Sequence, residues 1–374
     1  MPHRPSWAEV DLGAVRHNVG VLAGLAAPAR VCAVVKASAY GHGAVEVARA
    51  AIEGGASWLA VALVEEGAEL RDAGIEVPVL LLSEPPASAM VDVVGLRLTP
   101  TIYTGGGLEA AAAAAAAGRD PLPVHIKVDT GMHRVGASTA GAITLALDVE
   151  ARPELVLEGL WTHFAVADDP DDPFTAVQAG RLAGVLDELV ARGVRPPLAH
   201  ACNSAGALAH PGAHHDLVRC GLAVYGVAPS PALVDRAATC GLRPALALVS
   251  RVSLVKDVAA GEGVSYGLCF RAERPTVVAT VPVGYADGVP WRLAGAGGEV
   301  LVGGCRRALA GAVTMDQIMV DCGDDRSVAV GDEVVLLGRQ GDEEIGAWEW
   351  ADRVGTIAYE VLSRIGPRVP RVYR

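Results

Sequence analysis

Lys36 stands directly after the apolar run Val31-Cys32-Ala33-Val34-Val35. An amine reached through such a run loses hydration of its ammonium form, which lowers its pKa. A lysine tuned in this way attacks carbonyls and forms imines. A strand-end lysine is more often one whose stem snorkels to water, so Lys36 alone decides nothing. Its company adds chemistry. The stretch Lys36-Ala37-Ser38-Ala39-Tyr40-Gly41-His42-Gly43 supplies an aromatic hydroxyl and two glycines. Farther on, Lys127 to Gly136 sets Lys127, Asp129 and Arg134 at a second strand end. Asn203-Ser204 and Arg219-Cys220-Gly221-Leu222 offer amide, hydroxyl and backbone N–H donors after two later strands, where barrels often hold phosphate. A phosphate-bearing cofactor suits that donor set. Two Gly-rich loops, Gly261 to Gly267 and Gly284 to Gly288, carry Tyr266 and Tyr285. Such a tyrosine is more commonly a packing or hydrogen-bonding residue than a base, although a nearby arginine favours phenolate.

The elements that must position these groups alternate in type. Continuous apolar runs recur at Val31–Val35, Trp58–Ala62, Val79–Leu82, Leu98–Tyr103, Val124–Val128, Gly159–Phe164, Leu198–Cys202 and Leu217–Leu222. Helical stripes separate them: Leu12, Val15, Val19 and Leu22 behind a capping Asp11, then Ala44, Val45, Ala48 and Ile52, and later Leu182, Val185, Leu186, Leu189 and Val190. The octa-alanine run Ala110–Ala117 reads as helix. Apolar strands buried on both faces pair in parallel, so eight of them predict an N-terminal (β/α)8 TIM-type barrel over residues 1–240. From 241 to 374 the pattern is mainly β, with Leu246–Val255, Thr276–Val283, Glu299–Val302 and Glu333–Leu337 divided by glycine turns. A helical tail, Ala347–Ile365, precedes Gly366-Pro367. The fold class expected is therefore α/β plus β, with the extreme N-terminus packing on the C-terminal domain.

Composition removes several classes of function. Of 374 residues 51% are hydrophobic and 20% charged, which excludes a disordered chain. The net charge of −12 disfavours nucleic acid or an anionic membrane as partner. No window suits a bilayer span and the N-terminus lacks a signal peptide's apolar stretch, so a cytoplasmic protein is expected. The seven cysteines are scattered without a C-x-x-C pair, reading as core residues in a reducing compartment and predicting no metal centre. His210, His214 and His215 read as solvated loop residues, and Trp348 and Trp350 as packing for the tail.

In the order of its motifs the chain resembles alanine racemase, the fold-type III family of pyridoxal phosphate enzymes. The resemblance rests on Ala33–Gly43, His125–Gly136, Thr162-His163-Phe164, Asn203-Ser204, Val218–Gly221, Gly261–Gly267, Gly284–Gly288, Met315-Asp316-Gln317 and Gly366–Pro370. It implies that Lys36 holds pyridoxal 5'-phosphate as an imine and serves as one base, with Tyr266 the other, on opposite faces of the substrate Cα. It implies phosphate ligands at Tyr40, Ser204, Gly221, Leu222 and Tyr359, neighbours of the ring at His163 and Asn203, and Arg219 facing the pyridine nitrogen. An arginine only donates, so the ring nitrogen would stay unprotonated and the electron sink modest. Arg134 would contact the cofactor's phenolic oxygen and the substrate carboxylate, Lys127 would be carbamylated to orient it, and Met315 with Asp316 would lie at that carboxylate. Tyr266, Tyr285 and Met315 would come from the partner subunit, which implies a head-to-tail homodimer with shared active sites.

The activity implied is interconversion of L- and D-alanine, supplying D-alanine for peptidoglycan. Three departures from the family pattern stand out: Ser38 where Asn or Asp is usual, Ala312-Val313-Thr314 before Met315, and Ala358 before Tyr359. Ser38 and Thr314 bear on substrate preference, leaving a serine or broad-specificity racemase as the alternative. A decarboxylase of basic amino acids would use a cysteine and an aspartate in place of Tyr266. A non-catalytic pyridoxal phosphate carrier would lack the β domain.

Overall fold

The computed structural model describes residues 3–118 and 120–374. They form two compact units, one of residues 13–39 and 44–243, the other of residues up to 12, 40–43 and 244–374. Strand β1 (Ser6–Val10) belongs to the second unit. The first unit carries β2 (Arg30–Val34), β3 (Trp58–Val61), β4 (Val79–Leu81), β5 (Thr101–Ile102), β6 (Leu122–Lys127), β7 (Leu155–Trp161), β8 (Leu198–His200) and β9 (Leu217–Cys220). These pair in parallel as two sheets of four, β4-β3-β2-β9 and β5-β6-β7-β8. Every residue of β3, β4 and β9 is buried, the pattern of strands covered on both faces. All eight apolar runs of the sequence contain or overlap one of these strands.

Helices fill the intervals, at Leu12–Ala26, Ala44–Glu53, Val64–Asp72, Gly105–Ala115, Thr139–Glu150 and Phe174–Ala191. The alanine run forms most of Gly105–Ala115, begun by Thr104 Oγ1 accepting from the Gly107 N–H. In Phe174–Ala191 the buried face is Leu182, Val185 and Leu189, while Val190 at the margin of the predicted stripe is exposed. Ala44–Glu53 turns Val47, Ala50 and Ala51 inward with Ala44 and Ala48.

The second unit is built on a sheet in the order β16-β15-β18-β10-β1-β20, where β10 is Leu246–Arg251, β15 Glu299–Val302, β16 Cys305–Ala308, β18 Glu333–Gln340 and β20 Arg371–Tyr373. β1 pairs antiparallel with β10 and parallel with β20. A second sheet joins β11 (Leu254–Val258), β14 (Thr276–Val281) and β17 (Ile318–Asp321). The expected single run Leu246–Val255 is thus two strands in different sheets. The switch lies at Val252 and Ser253, whose N–H groups bond Asp332 O and Thr280 O respectively. The tail is also divided, into helices Ala347–Val354 and Ala358–Ser363, because Gly355 ends the first in a left-handed cap at φ 74°.

Two minor expectations are corrected. His214 is buried with Nε2 bonded to Ala207 O, so it is not solvated, and His210 Nε2 is also buried. Cys269 and Cys305 are exposed rather than core. Trp350 is packed inside as expected, with its indole N–H lacking a partner among the described residues.

Candidate active site

The backbone leaves β2 through a conformation that the sequence does not announce. Ala37, Ser38, Ala39 and Tyr40 all have φ between 52° and 53°. Four consecutive non-glycine residues in the left-handed region cost about 1–2 kcal/mol each, so neighbouring bonds must hold them. Glu66 supplies one such hold: its Oε1 accepts from the Ala37 N–H at 2.6 Å. Its Oε2 accepts from Ala62 and Leu63 N–H groups at 2.8 and 3.1 Å, just past β3. One carboxylate therefore links the ends of two strands beside Lys36. Burial lowers the Lys36 pKa and the charge of Arg134 lowers it further, against which Glu66 acts.

Lys127 ends β6 and is buried. Burial, then Arg219 and Arg134, bring its amine down to about 7, with Asp129 opposing. Its Nζ lies 4.3 Å from the centre of the Trp161 ring. The following loop is pinched shut at its base by Asp129 N–H to Ala137 O and Ala137 N–H to Lys127 O, 2.8 and 2.9 Å. Inside it Asp129 accepts from the N–H groups of Gly131 and His133 and from His133 Nδ1. This turn carries Arg134, whose side chain is exposed.

Arg219, on β9, is buried. Its Nη1 meets His200 Nδ1 at 2.8 Å, and its Nη2 donates to Thr162 O and Ala201 O and lies 3.3 Å from His163 Nδ1. Its guanidinium carbon is 4.4 Å from the Trp161 ring centre, and His200 stacks on that ring at 5.5 Å with 8° between planes. Burial lowers its pKa to about 10, which leaves it cationic at neutral pH. Burial and the Arg219 charge together push His163 and His200 well below the usual imidazole range, so both are neutral. Burial raises the adjacent Cys32 and Cys202 thiols to about 12, so neither provides an anion.

Ser204 is buried, and its Oγ accepts from the N–H groups of Gly221 and Ala223 at 2.8 and 3.3 Å. Asn203 Oδ1 accepts from Gly206 N–H and so caps the helix Ser204–Ala209. Leu222 opens a buried 3-10 turn, Leu222–Tyr225. The donor set fits an anionic, carbonyl-bearing cofactor. The charge of Arg134 lowers the proton affinity of both Lys36 and Lys127, Lys36 lowers that of Lys127 further, and Arg219 Nε is a buried donor with no partner among the described residues. An anion would relieve both conditions.

The second unit carries the remaining predicted residues. Tyr40 and Tyr359 approach with ring centroids 6.1 Å apart. Gly41 beside them has φ 86°, and a Cβ there would fall 2.3 Å from Leu362 O, so only glycine fits. Tyr266 begins a 3-10 turn after Ser265, whose Oγ bonds Ala312 O at 3.0 Å. Tyr285 N–H bonds Thr314 O and Ala286 N–H bonds Met315 O, tying those two loops together. The tie needs Gly284, where a Cβ would lie 2.2 Å from Thr314 O. Asp287 is fully buried below this junction, bound by both Arg4 guanidinium nitrogens at 2.8 Å and near Arg368, which reaches Asp316 at 2.6 Å. Tyr266 and Met315 nevertheless point their surfaces outward, 78% and 52% exposed.

Sequence reasoning missed Trp161, His200 and Glu66. Trp161 and His200 sit inside apolar runs and read as filler. The signal available was position, each being the last residue of a parallel strand, at the end where barrel enzymes place reactive groups.

The strand ends of the first unit gather buried amines, cations and hydrogen-bond donors suited to an anion, an arrangement that fits an enzyme. Residues 10–229 match the alanine racemase N-terminal domain and residues 245–373 the alanine racemase C-terminal domain. Alanine racemase of Symbiobacterium thermophilum is 48% identical over 99% of this chain and 97% of that protein. The relative from Frankia casuarinae, also an alanine racemase, is 46% identical over 98% and 96%. The crystal structure of alanine racemase from D-cycloserine producing Streptomyces lavendulae superposes with a TM-score of 0.94 at 42% identity, covering 100% of this chain and 98% of that one. The chain belongs to the alanine racemase family. Among the described residues no helix is long and apolar enough to cross a membrane.

Proposed function

We propose that this protein interconverts L- and D-alanine with pyridoxal 5'-phosphate, with Lys36 and Tyr266 as its two bases. The observation that carries the activity is the match of both family domains along nearly the whole chain. When bound, the cofactor supplies an electron sink that makes the substrate α-proton removable. Lys36 anchors the cofactor and moves a proton at its Nζ, aided by the lowered pKa that leaves more of the amine unprotonated. Tyr266 moves a proton at its Oη on the other face of the Cα, so hydrogen leaves from one side and returns on the other. Arg219 holds the ring nitrogen as a donor only, supported by its unpartnered Nε. Ser204, the Gly221 and Leu222 N–H groups, Tyr40 and Tyr359 bind phosphate, and His163 and Asn203 flank the ring. Arg134 with Met315 and Asp316 binds the substrate carboxylate. Lys127 is a candidate for carbamylation, because a pKa of about 7 supplies the neutral amine that carbon dioxide attacks.

The two four-stranded sheets are read as halves of one (β/α)8 barrel. Main-chain bonds at both seams support this, Leu81 N–H to Thr99 O and Arg219 N–H to Cys202 O, each 2.9 Å. Residues 1–240 would be the cofactor-binding domain and 241–374 the domain that enters the partner's site. The exposed Tyr266, Leu268, Tyr285, Trp291 and Met315 support a head-to-tail homodimer, since so many large apolar side chains rarely stay uncovered. Scattered free thiols suit the cytoplasm, and D-alanine so made would feed peptidoglycan.

Solvent deuterium entry into the α position of alanine, serine and lysine tests the activity and its breadth together. Exchange into alanine far above the others is expected; equal exchange into serine establishes the broad-specificity alternative, and none into any amino acid overturns the reading.

A further inference from the structure

The charge of Arg219 is buried without any carboxylate at hydrogen-bond distance among the described residues. Its bond to His200 Nδ1 opens a path. Arg219 can only donate, so His200 Nδ1 must be the acceptor and the His200 proton must sit on Nε2. His200 Nε2 lies 2.9 Å from His125 Nδ1 in the interior, which makes His125 Nδ1 an acceptor and puts its proton on Nε2. That Nε2 faces Glu158 Oε2 at 3.4 Å, an ion-pair distance without hydrogen-bond geometry, and among the described residues neither of these buried atoms has a hydrogen-bond partner. Arg219, His200, His125 and Glu158 come from β9, β8, β6 and β7 of one unit, so backbone pairing fixes the spacing.

We infer that Glu158 is the remote counter-charge of Arg219, joined to it by two neutral imidazoles whose protons both sit on Nε2. Each ring then presents its lone pair toward the guanidinium and its N–H toward the carboxylate. The aligned dipoles stabilise the buried cation and keep His200 from turning to offer a second donor. His125 and Glu158 are positioning residues, acting on the cofactor only through Arg219. Other groups facing the path are neutral or cationic: His163, His215 and the thiols of Cys32, Cys202 and Cys220. Burial lowers the pKa of both rings, in keeping with neutral imidazoles.

The direct test is 15N NMR of the holoenzyme labelled at histidine, with His125→Gln and His200→Gln used to assign the two rings. Protonated Nε2 and bare Nδ1 on both rings at pH 7 is the expected result. A proton on Nδ1 of either ring, or an imidazolium signal from either, overturns the inference whatever the enzyme's activity. The second arm rests on Arg219 holding the cofactor ring. His125→Leu leaves the His200 N–H unpaired and should raise the Kd for pyridoxal phosphate about tenfold, the effect of one broken buried hydrogen bond. His125→Gln, which keeps an acceptor and a donor, should restore most of the affinity. An unchanged Kd in His125→Leu with the expected tautomers intact in the parent separates a failed role for Arg219 from a failed relay.

Discussion

The two units prepare their reactive groups in opposite ways. In the parallel unit Lys36 and Lys127 are stripped of water and crowded by cations, so their chemistry is set before any ligand arrives. In the β unit Tyr266 stands 78% exposed on a loop tied down at its base by Ser265. Its backbone is fixed but its surroundings are still to come. Burial tunes a group from within, whereas an exposed group takes its chemistry from whatever covers it.

Removing the preset half should have the larger effect. Lys36→Ala is expected to lower racemisation by at least about 10⁴-fold, the upper end for one proton-transferring group. Borohydride reduction of the parent holoenzyme should label the peptide containing Lys36; a label elsewhere breaks the assignment. Tyr266→Phe should cost about 10²–10⁴-fold while the cofactor stays bound, as read by its absorbance. Normal turnover in that variant would remove Tyr266 as a base.

Mixing the two variants sharpens the contrast. If Tyr266 serves the neighbouring subunit, a dimer with one copy of each variant has one doubly damaged and one intact site. Random reassortment then restores about a quarter of parental activity. Failure to recover, with subunit exchange verified by mass spectrometry, would place both bases in one chain.

A smaller effect reads the preset state itself. The Lys127 amine titrates near 7 in the fold against 10.5 in the open chain. Below pH 7 both states are charged and the fold carries the whole cost of that buried cation. Between 7 and 10.5 the unfolded chain holds more protons, so this group makes the apoprotein more stable as pH rises. The urea midpoint of the apoprotein should climb between pH 7 and 9, and the climb should shrink in Lys127→Met. The smallest effect concerns Ser38, held at φ 52°. Asparagine tolerates that region better, so Ser38→Asn should stabilise the fold by less than about 1 kcal/mol, seen as a slightly higher melting temperature.

Legibility in the sequence differed between the same two regions. The eight parallel strands were readable because burial on both faces leaves unbroken apolar runs. The β unit was blurred where a chain changes sheets, since Leu246 to Val258 shows no break in polarity at Val252. Within the site, Lys36, Arg134 and the loop tyrosines stood out through their motifs. The stacking of His200 on Trp161 did not, because residues on adjacent strands meet only after pairing. Nor did the left-handed turn, since Ala-Ser-Ala-Tyr contains no glycine and reads as ordinary helix.

Glu66 couples two places that would otherwise fluctuate separately. Because one carboxylate accepts from Ala37 on one side and from Ala62 and Leu63 on the other, those amides cannot open one at a time without stranding the rest. Their hydrogen exchange should therefore be cooperative, a single small foldon at the rim of the parallel unit. The foothold of the reactive amine would then loosen only when the neighbouring strand end loosens too.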